Sequence, residues 1–185
     1  MWDYLKSIDE KAYEKHRQWM QLALNLAATA GDRDDVPVGA VIVDKEGHLI
    51  AQGANCKEKH HDPTAHAEIL AIRAASQVLG NWHLNDCTLY VTLEPCPMCA
   101  GAIIQARLGL LVYGADDPKT GVIRTVANFI DSPFSNHRLP VIAGILAKES
   151  GELLQTWFEK KRNGKDSGVS NAVTERLLKS QNSLN

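Results

Sequence analysis

The chain has 185 residues, 44% hydrophobic and 23% charged, with a formal net charge of −2. That length holds one domain with a real core, the composition is that of an ordinary globular chain, and the charge excludes a strongly basic nucleic-acid binder, so any such partner must be held by a local basic patch. The charged start "MWDYLKSIDEKAYEKH" lacks the apolar centre of a signal peptide, and no apolar run approaches the roughly 20 residues that span a bilayer, so a soluble, cytoplasmic chain without membrane attachment is expected. Four cysteines in a reducing compartment point to metal binding or catalysis rather than to disulfides.

From about Asp9 to Ala30, Trp19, Met20, Ala23, Leu26, Ala27 and Ala30 recur at three- and four-residue steps, a helix stripe with Gly31 as its stop. "VPVGAVIVD" reads as a buried strand, "KEG" as a turn and "HLIAQGAN" as the returning strand of a hairpin. "TAHAEILAIRAASQVLG" predicts a second helix, with Thr64 as N-cap, Ile69, Ile72 and Leu79 on one stripe, and Gly80 at its end. "TLYVTL" alternates as a strand with two different faces does. "PCPMCAGAIIQARLG" predicts a third helix, apolar on nearly every side, and "LLVYGA" a further strand. The 116–139 region is loop-rich; "VIAGIL" is a candidate last strand and "GELLQTWFEKKR" a last helix, with Leu153, Leu154, Trp157 and Phe158 inward. Helices alternating with five candidate strands predict an α/β fold, a three-layer α/β/α sandwich whose central sheet is covered by helices on both faces. The domain is expected at 1–163, followed by a polar, poorly ordered tail at 164–185.

The run "EPCPMC" sets Cys96 and Cys99 at the mouth of the third helix. Residues three apart share a helix face, so both sulfurs can reach one point. The helix start offers unpaired N–H groups and a positive dipole end, which favour thiolate, the form that zinc binds. By itself this CxxC leaves several chemistries open, a thioredoxin-like redox pair among them. Upstream, "DPTAHAEI" places His66 and Glu68 at another helix start within an apolar run. Taken singly, His66 reads as a cap and Glu68 as a first-turn partner of the dipole. Residues two apart on a regular helix lie about 200° apart, so both can face one ion only from an irregular first turn, as Pro63 and Thr64 suggest. A structural zinc would need a fourth ligand from Cys56, Cys87, His60 or His61.

Together the two segments spell H-x-E…P-C-x-x-C, and in this the chain resembles the zinc-dependent nucleobase deaminases. The resemblance implies one Zn2+ per subunit on His66, Cys96 and Cys99, the fourth position left to a water made acidic near neutral pH, and Glu68 as the catalytic proton shuttle. "DVPVGAVIVD", "GANCKEKHHDPTAHAEILAIRAA", "TLYVTLEPCPMCAGAIIQARLGLLVYGADDPKTG", "NHRLPVIAGIL" and "WFEKKR" extend the likeness over roughly residues 10–163 to the bacterial tRNA-specific adenosine deaminases. That family converts the wobble adenosine of a tRNA, typically the arginine tRNA with an ACG anticodon, to inosine.

The likeness implies a cytidine-deaminase-like fold with a mixed sheet of about five strands, a homodimer whose sites are completed partly by the neighbouring subunit, and a tRNA anticodon stem-loop as partner. Carried over by position, Asn55 would hydrogen-bond the target base, and backbone around Ala67 and Pro95 would read its edge. Asp117 and Lys119 in "GADDPKTG" would meet the adjacent sugar–phosphate. Asn136, His137, Lys160, Lys161 and Arg162 are further RNA candidates, although the basic helix end reads equally as solvated surface favoured by the dipole. The chain departs from the family after Gly121, with "VIRT" where better-known members carry small residues ending in Gly-Ser. That segment is expected to border the anticodon pocket, with Arg124 either an added phosphate contact or merely exposed. An anticodon-loop base is already single-stranded, so turning it into a pocket has a small unstacking cost, and its binding is expected to weaken with salt. Three alternatives use the same residues: a deaminase of a free base or nucleoside (guanine, cytosine or cytidine), with a closed pocket and no use for Lys119; a zinc-stabilised binding module, tolerant of losing Glu68; and a redox CxxC protein, in which His66 and Glu68 are idle.

Overall fold

The structure, a computed structural model, describes residues 9–163, so the tail expected at 164–185 lies outside the described residues. Helix α1 (Glu10–Asp32) starts at Asp9, whose carboxylate accepts the Ala12 N–H at 2.7 Å. It runs past the expected stop at Gly31: the Arg33 N–H closes on the Ala30 carbonyl and the Asp34 N–H on that of Gly31, and the left-handed turn falls on Asp34 (φ 71°), a residue type that tolerates it. Strands β1 (Gly39–Asp44) and β2 (Leu49–Ala54) form the hairpin, followed by a single turn of helix, α2 (Lys57–His60). Helix α3 (Ala67–Leu79), strand β3 (Cys87–Leu93), helix α4 (Pro97–Gln105), strand β4 (Leu110–Ala115) and the short β5 (Val141–Ala143) follow. A last helix, α5, covers 147–163.

The strands form one mixed sheet in the order β2-β1-β3-β4-β5. β1 is antiparallel to both β2 and β3, whereas β3, β4 and β5 run parallel. Period-two alternation divides each central strand between two cores. Ala40, Ile42, Leu89, Val91, Leu111 and Tyr113 face α3 and α4, and Val41, Val43, Tyr90 and Val112 face Met20, Ala23 and Leu24 of α1. This is the expected three-layer α/β/α sandwich, with both faces covered as parallel strands require. Side chains of this size contribute about 1.5–3 kcal/mol each when fully buried.

Two contacts between helix and strand are set by glycine. A Cβ on Gly39 would run into the Ala23 carbonyl of α1, and one on Gly53 into the Ala67 carbonyl of α3. Three further sequence expectations are corrected. Thr64 is not the cap of α3, Leu79 is 42% exposed because α3 turns its Ala67, Ala71, Ile72 and Ala75 face to the sheet, and Phe158 is 44% exposed at the rim of a cleft. Among the described residues no helix is long and apolar enough to cross a membrane.

Candidate active site

Because β3 and β4 are parallel, their carboxyl ends, Leu93 and Ala115, open on one edge of the sheet, where α/β sheets bind ligands. The start of β1 and the end of β2 lie at the same edge, since Gly39 pairs with Ala54. The chain enters α3 there through a turn tied by Asp62, whose Oδ1 accepts the Thr64 N–H at 2.8 Å and the Thr64 hydroxyl at 2.7 Å. Thr64 is thus engaged outside the helix, and His66 is the N-cap, in extended backbone (φ −73°, ψ 150°). Ala67 and Glu68 are the first helical residues. The two-residue spacing straddles a helix boundary, so the 200° offset of a regular helix does not apply. Cys96 is likewise the extended N-cap of α4, ahead of Pro97, and neither cap residue makes a capping hydrogen bond with its side chain.

The donors converge. His66 Nδ1 lies 3.7 Å from Cys96 Sγ and 3.5 Å from Cys99 Sγ, and the three atoms are all within 4.8 Å of one another. Zinc bond lengths and tetrahedral angles demand N···S edges of about 3.6 Å, so the set is of a size to hold one tetrahedral ion with three of its four ligands. Cys56, Cys87, His60 and His61 are not in the group, which leaves the fourth position without a protein ligand among the described residues. Glu68 also stands outside it, 4% exposed, in the cleft beside the donors.

Among the protein groups alone, the charge settles on one sulfur. The neighbouring Cys99 thiol and the His66 ring lower the Cys96 pKa to about 4. The same contact, together with burial, pushes Cys99 up. The Cys96 thiolate raises His66, and burial raises Glu68 above the ordinary carboxylate range. Thiolate, imidazole and a carboxyl that resists losing its proton are side by side, a setting made for a cation and a proton carrier.

A cleft of about 140 Å3 opens beside these groups, walled by Val36, Asn55, Lys57, Ala67, Asp117 and Thr120. Asn55 donates its Nδ2 to the Val36 carbonyl at 3.1 Å, while its buried Oδ1 has no partner among the described residues. Two larger clefts adjoin it: one of about 480 Å3 shares Val36, Asn55 and Lys57 and adds Trp157, Lys161 and Arg162, and one of about 500 Å3 shares Asp117 and Thr120 and adds Lys119 and Arg162. Lys161 is paired with Asp34 and sits 5.2 Å over the Trp157 ring, and Lys160 is exposed and lines none of the three clefts. The Pro95 carbonyl is taken by the Val122 N–H at 3.1 Å.

Elsewhere the structure separates what the sequence grouped. Arg124 grips Asp116 through Nε at 2.9 Å and Nη2 at 2.8 Å, its guanidinium 5.8 Å from the Tyr113 ring centre. Val122 and Ile123 are buried in the core, so the first half of "VIRT" is packing and the arginine is a loop fastener. His137 Nε2 is 2.8 Å from the Leu108 carbonyl, ahead of β4, which places it and its neighbour Asn136 at the opposite end of the sheet. Sequence reasoning missed Lys57, and it missed Glu94, whose signal was an acid at the inner end of a buried strand.

Residues 14–162 match the MafB19-like deaminase family. The tRNA-specific adenosine deaminase of Haemophilus influenzae is 44% identical over 167 residues, 90% of this chain and 93% of the relative. That of Agrobacterium fabrum is 46% identical over 78% of this chain and 94% of the relative. The chain belongs to the tRNA-specific adenosine deaminase family. A solved tRNA:A34 deaminase superimposes on this family member with a TM-score of 0.72 at 47% identity, covering 74% of this chain and 99% of that one. A guanine deaminase from Nitrosomonas europaea aligns with a TM-score of 0.63 at 26% identity, over 76% and 83%. The deaminase fold, cytidine-deaminase-like, is therefore shared with a guanine deaminase.

Proposed function

We propose that the protein is a cytoplasmic, zinc-dependent hydrolase that converts the wobble adenosine in the anticodon loop of tRNA to inosine, with the arginine tRNA bearing ACG as its substrate. The observation that carries this reading is a three-donor group of tetrahedral size with a buried Glu68 beside it that is not one of the donors. His66, Cys96 and Cys99 would hold one Zn2+ per subunit, which supplies Lewis acidity and a water acidic near pH 7.

The remaining work falls to this chain's side chains. Glu68 takes a proton from the attacking water, passes it to a ring nitrogen of adenine, and delivers a proton to the departing amino group, so adenosine and water become inosine and ammonia. Its burial suits this traffic, because burial raises its pKa and so makes the carboxylate a better proton acceptor. Asn55 offers its unpartnered Oδ1 as an acceptor for a donor on the base, and the first turn at Ala67 forms the facing wall. The backbone at Pro95 holds the reacting ring only through its place between Glu94 and Cys96, since its carbonyl is engaged by Val122. Asp117, Lys119, Lys161 and Arg162, around the adjoining clefts, meet the neighbouring sugar–phosphate, with Lys160 at their edge. Asn136 and His137 join this RNA surface only from the partner's side of a homodimer. The homodimer itself is supported by apolar side chains left exposed at Met98, Val126 and Phe134.

The test is to offer the protein an arginine-tRNA anticodon stem-loop and, separately, free adenosine, cytidine, guanine and cytosine. Inosine in the stem-loop alone is expected; product from a free base with none in the stem-loop would overturn the reading. Glu68→Ala is expected to keep its zinc and lose about 10²–10⁴ in rate, and undiminished turnover would remove Glu68 from the mechanism.

A further inference from the structure

Two buried carboxylates line the cleft itself, and they have opposite surroundings. Glu68 has proton-transfer neighbours; Glu94, 2% exposed, is saturated by donors from a single segment. Its Oε1 accepts the N–H groups of Ile123 at 2.9 Å, Arg124 at 2.7 Å and Thr125 at 3.1 Å. Its Oε2 accepts the Asp117 N–H at 3.1 Å and lies 2.8 Å from the Thr125 hydroxyl, which also reaches the Asp117 and Gly121 carbonyls at 2.8 and 3.1 Å. The fit leaves no spare room: a Cβ on Gly121 would collide with the Glu94 carboxylate. So many hydrogen bonds to one carboxylate make it a strong fixing point.

What it fixes is the wall of the site. Asp117 and Thr120 line the cleft beside His66 and Glu68, and Lys119 lines the adjoining one. Within that segment the Asp117 carboxylate turns back on its own loop, accepting Lys119 N–H at 2.9 Å, Thr120 N–H at 3.2 Å and the Thr120 hydroxyl at 2.6 Å. Glu94 holds the base of the loop and Asp117 shapes its tip. Arg124, bound to Asp116, ties the two flanks together.

We propose that Glu94 is a positioning residue for RNA: without touching the reacting base, it holds 117–125 in the shape that receives the strand beside the target nucleotide. This rests on the tRNA reading above. Preorganising such a loop favours ground state and transition state alike, so its loss raises KM and spares kcat. A merely structural prop for Cys96 would instead lower zinc content and the active fraction, moving kcat with KM unchanged.

The experiment compares Glu94→Gln, Gly121→Ala and Thr125→Val with wild type on the stem-loop, measuring zinc content, kcat, KM and amide exchange of 117–125. Glu94→Gln and Gly121→Ala, which respectively weaken the anchor and push the loop off it, are expected to raise KM about tenfold or more with kcat within about threefold. Thr125→Val should give a smaller rise in the same direction, zinc should stay at one per chain, and the 123–125 amides should exchange faster in Glu94→Gln. Should that variant fail to fold, Gly121→Ala and Thr125→Val carry the same test. Unchanged KM in variants of an active wild type, or a loss confined to kcat and zinc, overturns the assignment of Glu94 alone. A wild type that leaves the stem-loop unconverted overturns the tRNA reading and this role with it.

Discussion

Gly53 is the most revealing single position at which to perturb this molecule, because one methyl group there reaches both the fold and the site. On β2 it faces the first turn of α3, where an added Cβ would overlap the Ala67 carbonyl and come within 2.9 Å of the Ala71 nitrogen. Restoring an ordinary contact of 3.4 Å moves the helix start by at least half an ångström, and by more at Ala67. The atoms in the way are backbone, so no side-chain rotation relieves the clash. Overpacking of this kind costs about 1–3 kcal/mol, which for a chain of this length lowers Tm by about 2–12 °C. The displaced turn carries His66 and Glu68, so Gly53→Ala should also bind zinc more weakly and turn over more slowly. Gly151→Ala is the control, since nothing lies within 4 Å of its Cβ and it sits in α5; it should be neutral or stabilising by up to about 1 kcal/mol. Calorimetry, metal analysis and stem-loop turnover on both variants decide it. A Gly53→Ala protein that loses stability yet keeps wild-type zinc affinity and rate would refute the coupling of strand contact to site geometry.

His16 lies 2.9 Å from the Tyr90 hydroxyl, and burial, with Lys15 nearby, holds its pKa below 6.5. Both states are neutral above that value; as pH falls through it the unfolded chain takes up the proton first, so stability is lost toward the lower folded pKa. His16→Gln should therefore show a smaller drop in Tm between pH 7.5 and 5.5 than wild type, and equal drops would contradict it. Chelation should abolish stem-loop turnover and lower Tm, with zinc restoring both, because an ion bound only by the folded chain stabilises it. Persistent turnover in metal-free protein would count against the His66–Cys96–Cys99 centre.

Periodicity made the sandwich legible. The α1 stripe of Met20, Ala23, Ala27 and Ala30 and the alternation through β1 and β3 follow from local geometry, and both appear where expected. The three donors were legible for a different reason, the resemblance of H-x-E…P-C-x-x-C to the zinc-dependent deaminases. What stayed hidden depended on contacts distant in sequence. Nothing in "TLEPC" announces that Glu94 will hold amides some thirty residues on, and nothing in "VIRT" says that Arg124 will turn to Asp116 rather than to solvent. The orientation of His66 and Glu68 was hidden for a local reason: it is decided by Asp62 holding Thr64 outside the helix.

The helix starts at His66 and Cys96 lack capping side chains, and this has a consequence for anyone engineering the protein. Ser, Thr, Asp or Asn at an N-cap commonly adds about 1 kcal/mol and is among the easiest routes to thermostability. Here both positions are closed to that strategy, because the improved cap would delete a proposed metal ligand. Heat resistance must be sought in other parts of the chain, and laboratory selection for stability alone, without selection for turnover, would drive these two positions toward an inert protein.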